Sequence, residues 1–289
     1  MTAADGSRTV SRKIQAAGVP GVLAAPAGID HEAPLLVLWH GFGPPPEAEG
    51  LSERLPLHGL EAYRVYLDLP LFGGRRPEGG PRELGERQAE DYLGRLLWPV
   101  VEQATGELPS VIESLREQLD AGFGRGLGLF GHSAGGLAAL HVLAEGDLPV
   151  RAAATFGAPA SAETPLAEIE DLVGEPYDWT PEAREQARRL DIPDRAEEIA
   201  AGQPRPDVLF LHGEDDDRVP PSEAEVLERA LRRAYGEEPG GGRGVEVRKE
   251  VLAGQGHSIG SERPGESGPA GELEDRLLDW YRQRLVDDG

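Results

Sequence analysis

The stretch Leu127-Gly128-Leu129-Phe130-Gly131-His132-Ser133-Ala134-Gly135-Gly136 decides the fold. A short apolar segment of β character runs into Gly-x-Ser-x-Gly. Leu137-Ala138-Ala139-Leu140-His141-Val142-Leu143-Ala144 then continues with helical character. A strand, a sharp turn carrying a serine and then a helix is the order a nucleophile elbow needs. The strain of the turn lifts the serine hydroxyl above the sheet edge. Gly131 and Gly135 flank it because a side chain at either place would crowd the turn. The helix that begins here aims its N-terminal amides and positive dipole end at any oxyanion nearby. Taken alone, Gly-x-Ser-x-Gly also reads as a glycine-rich turn with a serine N-cap; the flanking strand and helix favour a nucleophile.

A hydroxyl is a poor nucleophile without a base, and the base needs an acid to orient it. The chain supplies both, in the order serine, acid, histidine. Asp207-Val208-Leu209-Phe210-Leu211-His212-Gly213 reads as a buried strand that opens into Glu214-Asp215-Asp216-Asp217-Arg218-Val219-Pro220. Val245-Glu246-Val247-Arg248-Lys249-Glu250-Val251 alternates with period two, as a half-buried strand does, and leads to Gly254-Gln255-Gly256-His257-Ser258. All three candidates therefore lie just past the carboxyl ends of predicted strands, where ligands gather in an open parallel sheet.

With these motifs the chain resembles the alpha/beta-hydrolase superfamily, from about Ile14 to its last helix. The combination is specific: His40-Gly41-Phe42-Gly43 after the strand Leu35–Trp39, the turn at Ser133, the acid loop after His212-Gly213, and Gly256-His257. Within the superfamily it is most similar to small bacterial serine esterases related to dienelactone hydrolases and prolyl-oligopeptidase catalytic domains. The resemblance implies an acid loop of the form His-Gly-x-x-Asp-x-x-Val-Pro, which makes Asp216 the acid; Asp215 and Asp217 are the alternatives. An oxyanion hole takes one N–H from the residue after the nucleophile, Ala134, and a second from the earlier loop. By resemblance the second donor is Phe42, with Gly43 as the alternative; Pro44, Pro45 and Pro46 have no N–H. His40, His132, His141 and His212 read as structural histidines.

Composition fits a single domain over residues 1–289, and the resemblance implies an α/β fold with a mostly parallel central sheet and helices on both faces. Hydrophobic residues make up 39% of the chain, enough for a sizeable core. No apolar stretch approaches the roughly 20 residues of a membrane span. The N-terminus lacks an apolar core behind a basic start, so a cytoplasmic location is expected. With no cysteine there is no thiol nucleophile and no cysteine metal site. A net charge of −23 repels nucleic acid and anionic membranes, and it also fits a salt-rich cytoplasm. The expected partner is a small-molecule ester, with no cofactor and no metal.

The remaining segments follow the same rhythm. Ser11–Ala25 reads as an edge hairpin bending at Val19-Pro20-Gly21, and Leu51–Leu60 as a helix before the strand Tyr63–Pro70. Helices are expected over Arg82–Leu97 and Pro99–Asp120, a strand over Val150–Phe156, and loops at Pro239–Gly244 and Gly260–Gly271. A closing amphipathic helix carries Leu273, Leu277, Leu278 and Tyr281. About fifty residues separate Gly157 from Asp207, where a crossover needs only a dozen or so. Residues 158–206 hold helical pieces at Pro165–Leu172, Pro181–Leu190 and Asp194–Ala201 and are expected to cap Ser133. Tyr177 and Trp179, with Phe156, Leu172 and Val173, are candidate pocket walls; packing between cap and core is the competing role.

Gly126-Leu127-Gly128-Leu129-Phe130-Gly131 also matches Gly-x-Gly-x-x-Gly, with Glu145 as a possible ribose ligand. A dinucleotide fingerprint puts its glycines in the turn after a strand. Here the first two begin the strand itself. A hydrolase fold used only for binding is the other rival, and fold alone does not exclude it. The complete set of serine, acid and histidine favours catalysis: cleavage of carboxylic esters through an acyl-enzyme, with thioester or amide cleavage as the alternative.

Overall fold

Leu35–Trp39 and Leu127–His132 are buried along their whole length, as strands covered on both faces must be. They form the centre of one eight-stranded sheet. In chain order its strands are β1 (Thr9–Ala16), β2 (Val19–Pro26), β3 (Leu35–Trp39), β4 (Tyr63–Leu67), β5 (Leu127–His132), β6 (Val150–Phe156), β7 (Asp207–Gly213) and β8 (Val247–Leu252). Across the sheet the order is β1-β2-β4-β3-β5-β6-β7-β8. β1, β2 and β4 pair antiparallel; every other neighbouring pair is parallel. The computed structural model describes residues 9–236, 245–260 and 270–287.

The alternation of a strand sends its side chains to two cores. Leu35, Val37 and Trp39 join the cluster containing helices α3 (Trp98–Leu119) and α4 (Ala134–Glu145). Leu36 and Leu38 join the opposite cluster, with α1 (Ala48–Arg54) and α9 (Ala270–Tyr281). Leu273, Leu277, Leu278 and Tyr281 of α9 are all buried there. Residues 134–144 of α4 are buried on every side, which explains a sequence with no polar stripe. The remaining helices are α2 (Gly80–Tyr92), α5 (Glu163–Val173), α6 (Pro181–Arg189), α7 (Ala196–Ala200) and α8 (Ser222–Tyr235). From β3 the chain crosses to β4 on one side and then to β5 on the other. That reversal sets the loop after β3 beside the turn after β5, at the switch point where α/β sheets bind ligands.

Local readings shift in four places. The hairpin turns at Ala17-Gly18, not at Val19-Pro20-Gly21, because both residues take positive φ (48° and 84°) and so match the strand twist. The helix expected around Leu51–Leu60 ends at Arg54; Pro56 and Leu57, at φ 50°, follow in a loop whose Leu55, Leu57 and Leu60 side chains are buried. The expected Arg82–Leu97 helix is α2, with an extended residue at Asp91, followed by a π-helical turn at Leu93–Leu97. The strand Tyr63–Pro70 leaves the sheet after Leu67, where Asp68 takes hydrogen bonds from the Ala48 and Gly74 amides. The loop at 239–244 lies outside the described residues, as does most of that at 260–271.

Candidate active site

Ser133 has φ 52° and ψ −119°, a conformation that non-glycine residues rarely adopt. Its surroundings enforce the turn. A Cβ on Gly131 would lie 2.1 Å from the Gly135 carbonyl oxygen, and one on Gly135 would lie 2.4 Å from that of His40. These two glycines therefore permit contact between β5, α4 and the loop after β3. The Ser133 amide donates to the Phe156 carbonyl at 2.9 Å, and its own carbonyl accepts the first helical bond, from Leu137.

The structure brings Ser133, Asp216 and His257 together. His257 Nε2 lies 3.0 Å from Ser133 Oγ, and His257 Nδ1 lies 2.8 Å from Asp216 Oδ2. The Asp216 carboxylate is also held through Oδ1, which accepts the Arg218 and Val219 amides at 3.0 and 2.9 Å. Burial alone would push this carboxyl up. Hydrogen bonds from His212 and His257 and the Val219 amide outweigh that and hold it well below the usual carboxylate range. Asp215 and Asp217 are exposed, so only one of the three aspartates is inside. His212 donates from Nε2 to the Val219 carbonyl at 2.7 Å, which fixes the far side of the acid loop.

The loop after β3 lies directly against Ser133. A Cβ on Gly41 would come within 2.9 Å of the Ser133 Cβ. His40 donates from Nδ1 to the Gly41 carbonyl at 2.7 Å and accepts the Leu69 amide on Nε2 at 3.1 Å. A trans peptide points its C=O and the following N–H in opposite directions. Fixing the Gly41 carbonyl therefore fixes the direction of the Phe42 N–H. Phe42 is held on its ring face by Phe72, stacked at 4.7 Å. Ala134, the other donor candidate, is buried at the first position of α4. Burial pushes the His40 imidazole down to about 4, so it stays neutral.

Two site neighbours carried little signal in sequence. Gly157, at φ 58°, makes room for the Asp216–His257 pair: a Cβ there would sit 3.2 Å from both Asp216 Oδ2 and His257 Nδ1. The clue available was a glycine placed immediately after a buried strand. Arg218 pairs with Glu168 of α5 at 3.1 Å and joins the acid loop to the inserted helices.

The pocket residues fall differently. The Tyr177 hydroxyl donates to Asp91 Oδ1 at 2.5 Å, and its ring meets Trp179 edge-on at 5.2 Å. Tyr177 lines a cavity of about 290 Å³ between α2 and α5, with Asp91, Tyr92, Ile169 and Val173; none of Ser133, Asp216, His257 or Phe42 lines it. Trp179 lies under the Arg184 guanidinium. Both aromatics are partly buried and pack against the larger core cluster. Phe156 is fully buried beneath His132, and Leu172 is 73% exposed.

The sequence profile described as the prolyl oligopeptidase family matches residues 107–286, a span that includes Ser133, Asp216 and His257. The chain belongs to the prolyl oligopeptidase family. It is a hydrolase of that family on the alpha/beta-hydrolase fold. Among solved structures it is similar to TT1662 from Thermus thermophilus (23% identity, 94% of this chain and 98% of that one, TM-score 0.65). It is also similar to the Pyrococcus horikoshii acylaminoacyl peptidase (17% identity, 97% of this chain but 42% of that one, TM-score 0.62). A third similar structure is the esterase domain of a Rhodothermus marinus protein (18% identity, 96% and 100%, TM-score 0.57). At these identities the structural likeness speaks for the fold. No curated protein matches the chain. Among the described residues no helix is long and apolar enough to cross a membrane, and no cluster of side chains could hold a metal ion.

Proposed function

We propose that this hydrolase cleaves carboxylic esters through an acyl-enzyme formed on Ser133. The observation that carries the reading is the continuous relay from Ser133 Oγ through His257 to Asp216, at 3.0 and 2.8 Å. His257 takes the serine proton as Oγ attacks the acyl carbon, and Asp216 fixes the imidazole tautomer and stabilises the imidazolium. The Phe42 and Ala134 amides receive the oxyanion. His257 returns the proton to the departing alcohol, and water repeats the sequence on the acyl-enzyme.

Peptide or amide cleavage is the second reading, favoured by the family match over residues 107–286. The same residues serve both reactions, but an amine leaves only once protonated, so an amide asks more of His257. Steady-state rates on p-nitrophenyl esters of graded acyl length, beside aminoacyl p-nitroanilides and acyl-CoA, separate the two. An ester preference in kcat/KM is expected; a preference for the anilides assigns the peptidase. Ser133→Ala should cost on the order of 10⁶ in turnover. Retention of more than about a tenth of the activity, set against that scale, would remove Ser133 from the chemistry.

A further inference from the structure

We propose that His132, the variable residue of the Gly-x-Ser-x-Gly turn, is a positioning residue that holds the backbone of His257 so that its imidazole reaches Ser133. The inference rests on the assignment of Ser133 and His257 as nucleophile and base. His132 ends β5, one residue before the nucleophile, and its side chain is buried. Its Nε2 lies 2.8 Å from the His257 carbonyl oxygen. A carbonyl only accepts, so Nε2 carries the ring proton and donates it.

The same ring touches the site on three further sides. Its centroid is 5.2 Å from that of the His257 imidazole. It stacks on Phe156 at 5.7 Å and 25°. A Cβ on Gly41 would meet its Nδ1 at 3.0 Å, so it also backs the loop that carries Phe42. One imidazole thus links the strand that delivers the nucleophile to the loop that delivers the base.

Packing alone does not call for a polar ring here. A buried N–H is costly unless it is bonded, and an apolar ring would fill this space without that demand. The second nitrogen, Nδ1, is buried and has no hydrogen-bond partner among the described residues. Burial, then the neighbouring His257, push His132 down to about 3. It is therefore neutral at working pH, with a single N–H, and that N–H is spent on His257. The bond adds to the ties within this loop, where the Gln255 carbonyl accepts the Asp215 amide and the Gln255 side-chain amide donates to the Ser258 carbonyl. A misplacement of about 1 Å costs on the order of 10² in rate.

The test compares three variants by steady-state kinetics on a p-nitrophenyl ester, by the rate of labelling with a fluorophosphonate probe, and by thermal melting. His132→Phe keeps a ring and removes the donor. His132→Asn also loses it, because its shorter amide falls at the position of Nδ1. His132→Gln carries an amide nitrogen near the position of Nε2. The Phe and Asn variants should lose about 100-fold in kcat and in labelling rate with KM held within about threefold. The Gln variant should recover to within about tenfold of wild type, again on the scale of that misplacement. Folded Phe and Asn variants that label at wild-type rates overturn the proposal, as does a Gln variant as slow as Phe. Loss of the fold in both Phe and Asn variants assigns His132 to stability alone and overturns it too. A wild-type protein that the probe does not label sinks the nucleophile assignment itself, and this inference with it.

Discussion

Asp216 reaches His257 through one carboxylate oxygen, 2.8 Å from Nδ1, while its other oxygen is tied to the amides of its own loop. The Asp216 carboxylate is thus fixed by the backbone on one side and faces the His257 imidazole on the other. Asp216→Asn keeps the shape but offers an amide that cannot stabilise the imidazolium. Turnover should fall by roughly 10⁴, as for the equivalent change in a serine protease. Asp215→Asn and Asp217→Asn alter exposed carboxylates and should leave turnover nearly unchanged. Equal losses across the three, measured on one ester, would place the acid elsewhere.

The contact between Gly135 and the His40 backbone gives a test of the turn. A methyl at 135 would lie 2.4 Å from the His40 oxygen and 2.8 Å from Trp39 Cβ, so α4 must move away from the loop that carries Phe42. Gly135→Ala should destabilise by about 1–3 kcal/mol through overpacking. It should also lower kcat, since the shift parts the Phe42 and Ala134 amides proposed to receive the oxyanion. Gly146, at the far end of α4, is the control: φ is 70° and a Cβ there meets nothing within 4 Å among the described residues. Gly146→Ala should cost about 1–2 kcal/mol from backbone strain and leave kcat alone. If both variants lower kcat alike, crowding at the turn is not the cause.

Buried neutral histidines set the acid limit of the fold. His40 is pushed down to about 4 and His132 to about 3, both by burial first. An unfolded histidine titrates near 6.5. Between these values the unfolded chain binds the proton and the folded chain does not, so stability is full above about 6.5 and is lost as pH falls. Each group contributes up to about 1.4 kcal/mol per pH unit in that window. Asp216, held low, adds its own loss only below the ordinary carboxylate range. Urea midpoints should drop clearly between pH 7 and pH 5, and His132→Gln should remove part of that drop. A midpoint that stays level over the interval refutes this account.

The sheet was legible because burial on both faces writes itself as unbroken apolar runs. Leu35–Trp39, Val150–Phe156 and Asp207–Gly213 begin and end where their sequences indicate. Ser133 and Asp216 follow such runs and His257 follows the alternating strand β8, so the three residues that the fold brings together each lay past a readable strand. Other features were hidden by their physics. The hairpin turn depends on positive φ at Ala17, which alanine does not advertise. The helix at Ala48–Arg54 stops early although Leu55, Leu57 and Leu60 continue an apolar pattern, since these side chains serve a buried loop instead. The link from His132 to His257 spans 125 positions and has no local signature.

Tyr177 lies in the inserted segment, where an acyl pocket is expected; its hydroxyl is bonded to Asp91, and it lines a cavity between α2 and α5. That hydrogen bond joins the inserted segment to the core, and a bond to a charged acceptor is worth about 1.5–3 kcal/mol. Tyr177→Phe removes only the hydroxyl, so its ring still packs against Trp179. It should lower the melting temperature by a few degrees, given about 2–4 °C per kcal/mol for a chain approaching this size. The ratio of kcat/KM between short and long acyl esters should stay where it is in the wild type. Trp179→Ala, which strips away the whole neighbouring ring, should lower stability further and again leave the ratio in place. A ratio that moves about tenfold in either variant would place that side chain in the acyl pocket, because a wall that contacts the acyl chain discriminates on that scale.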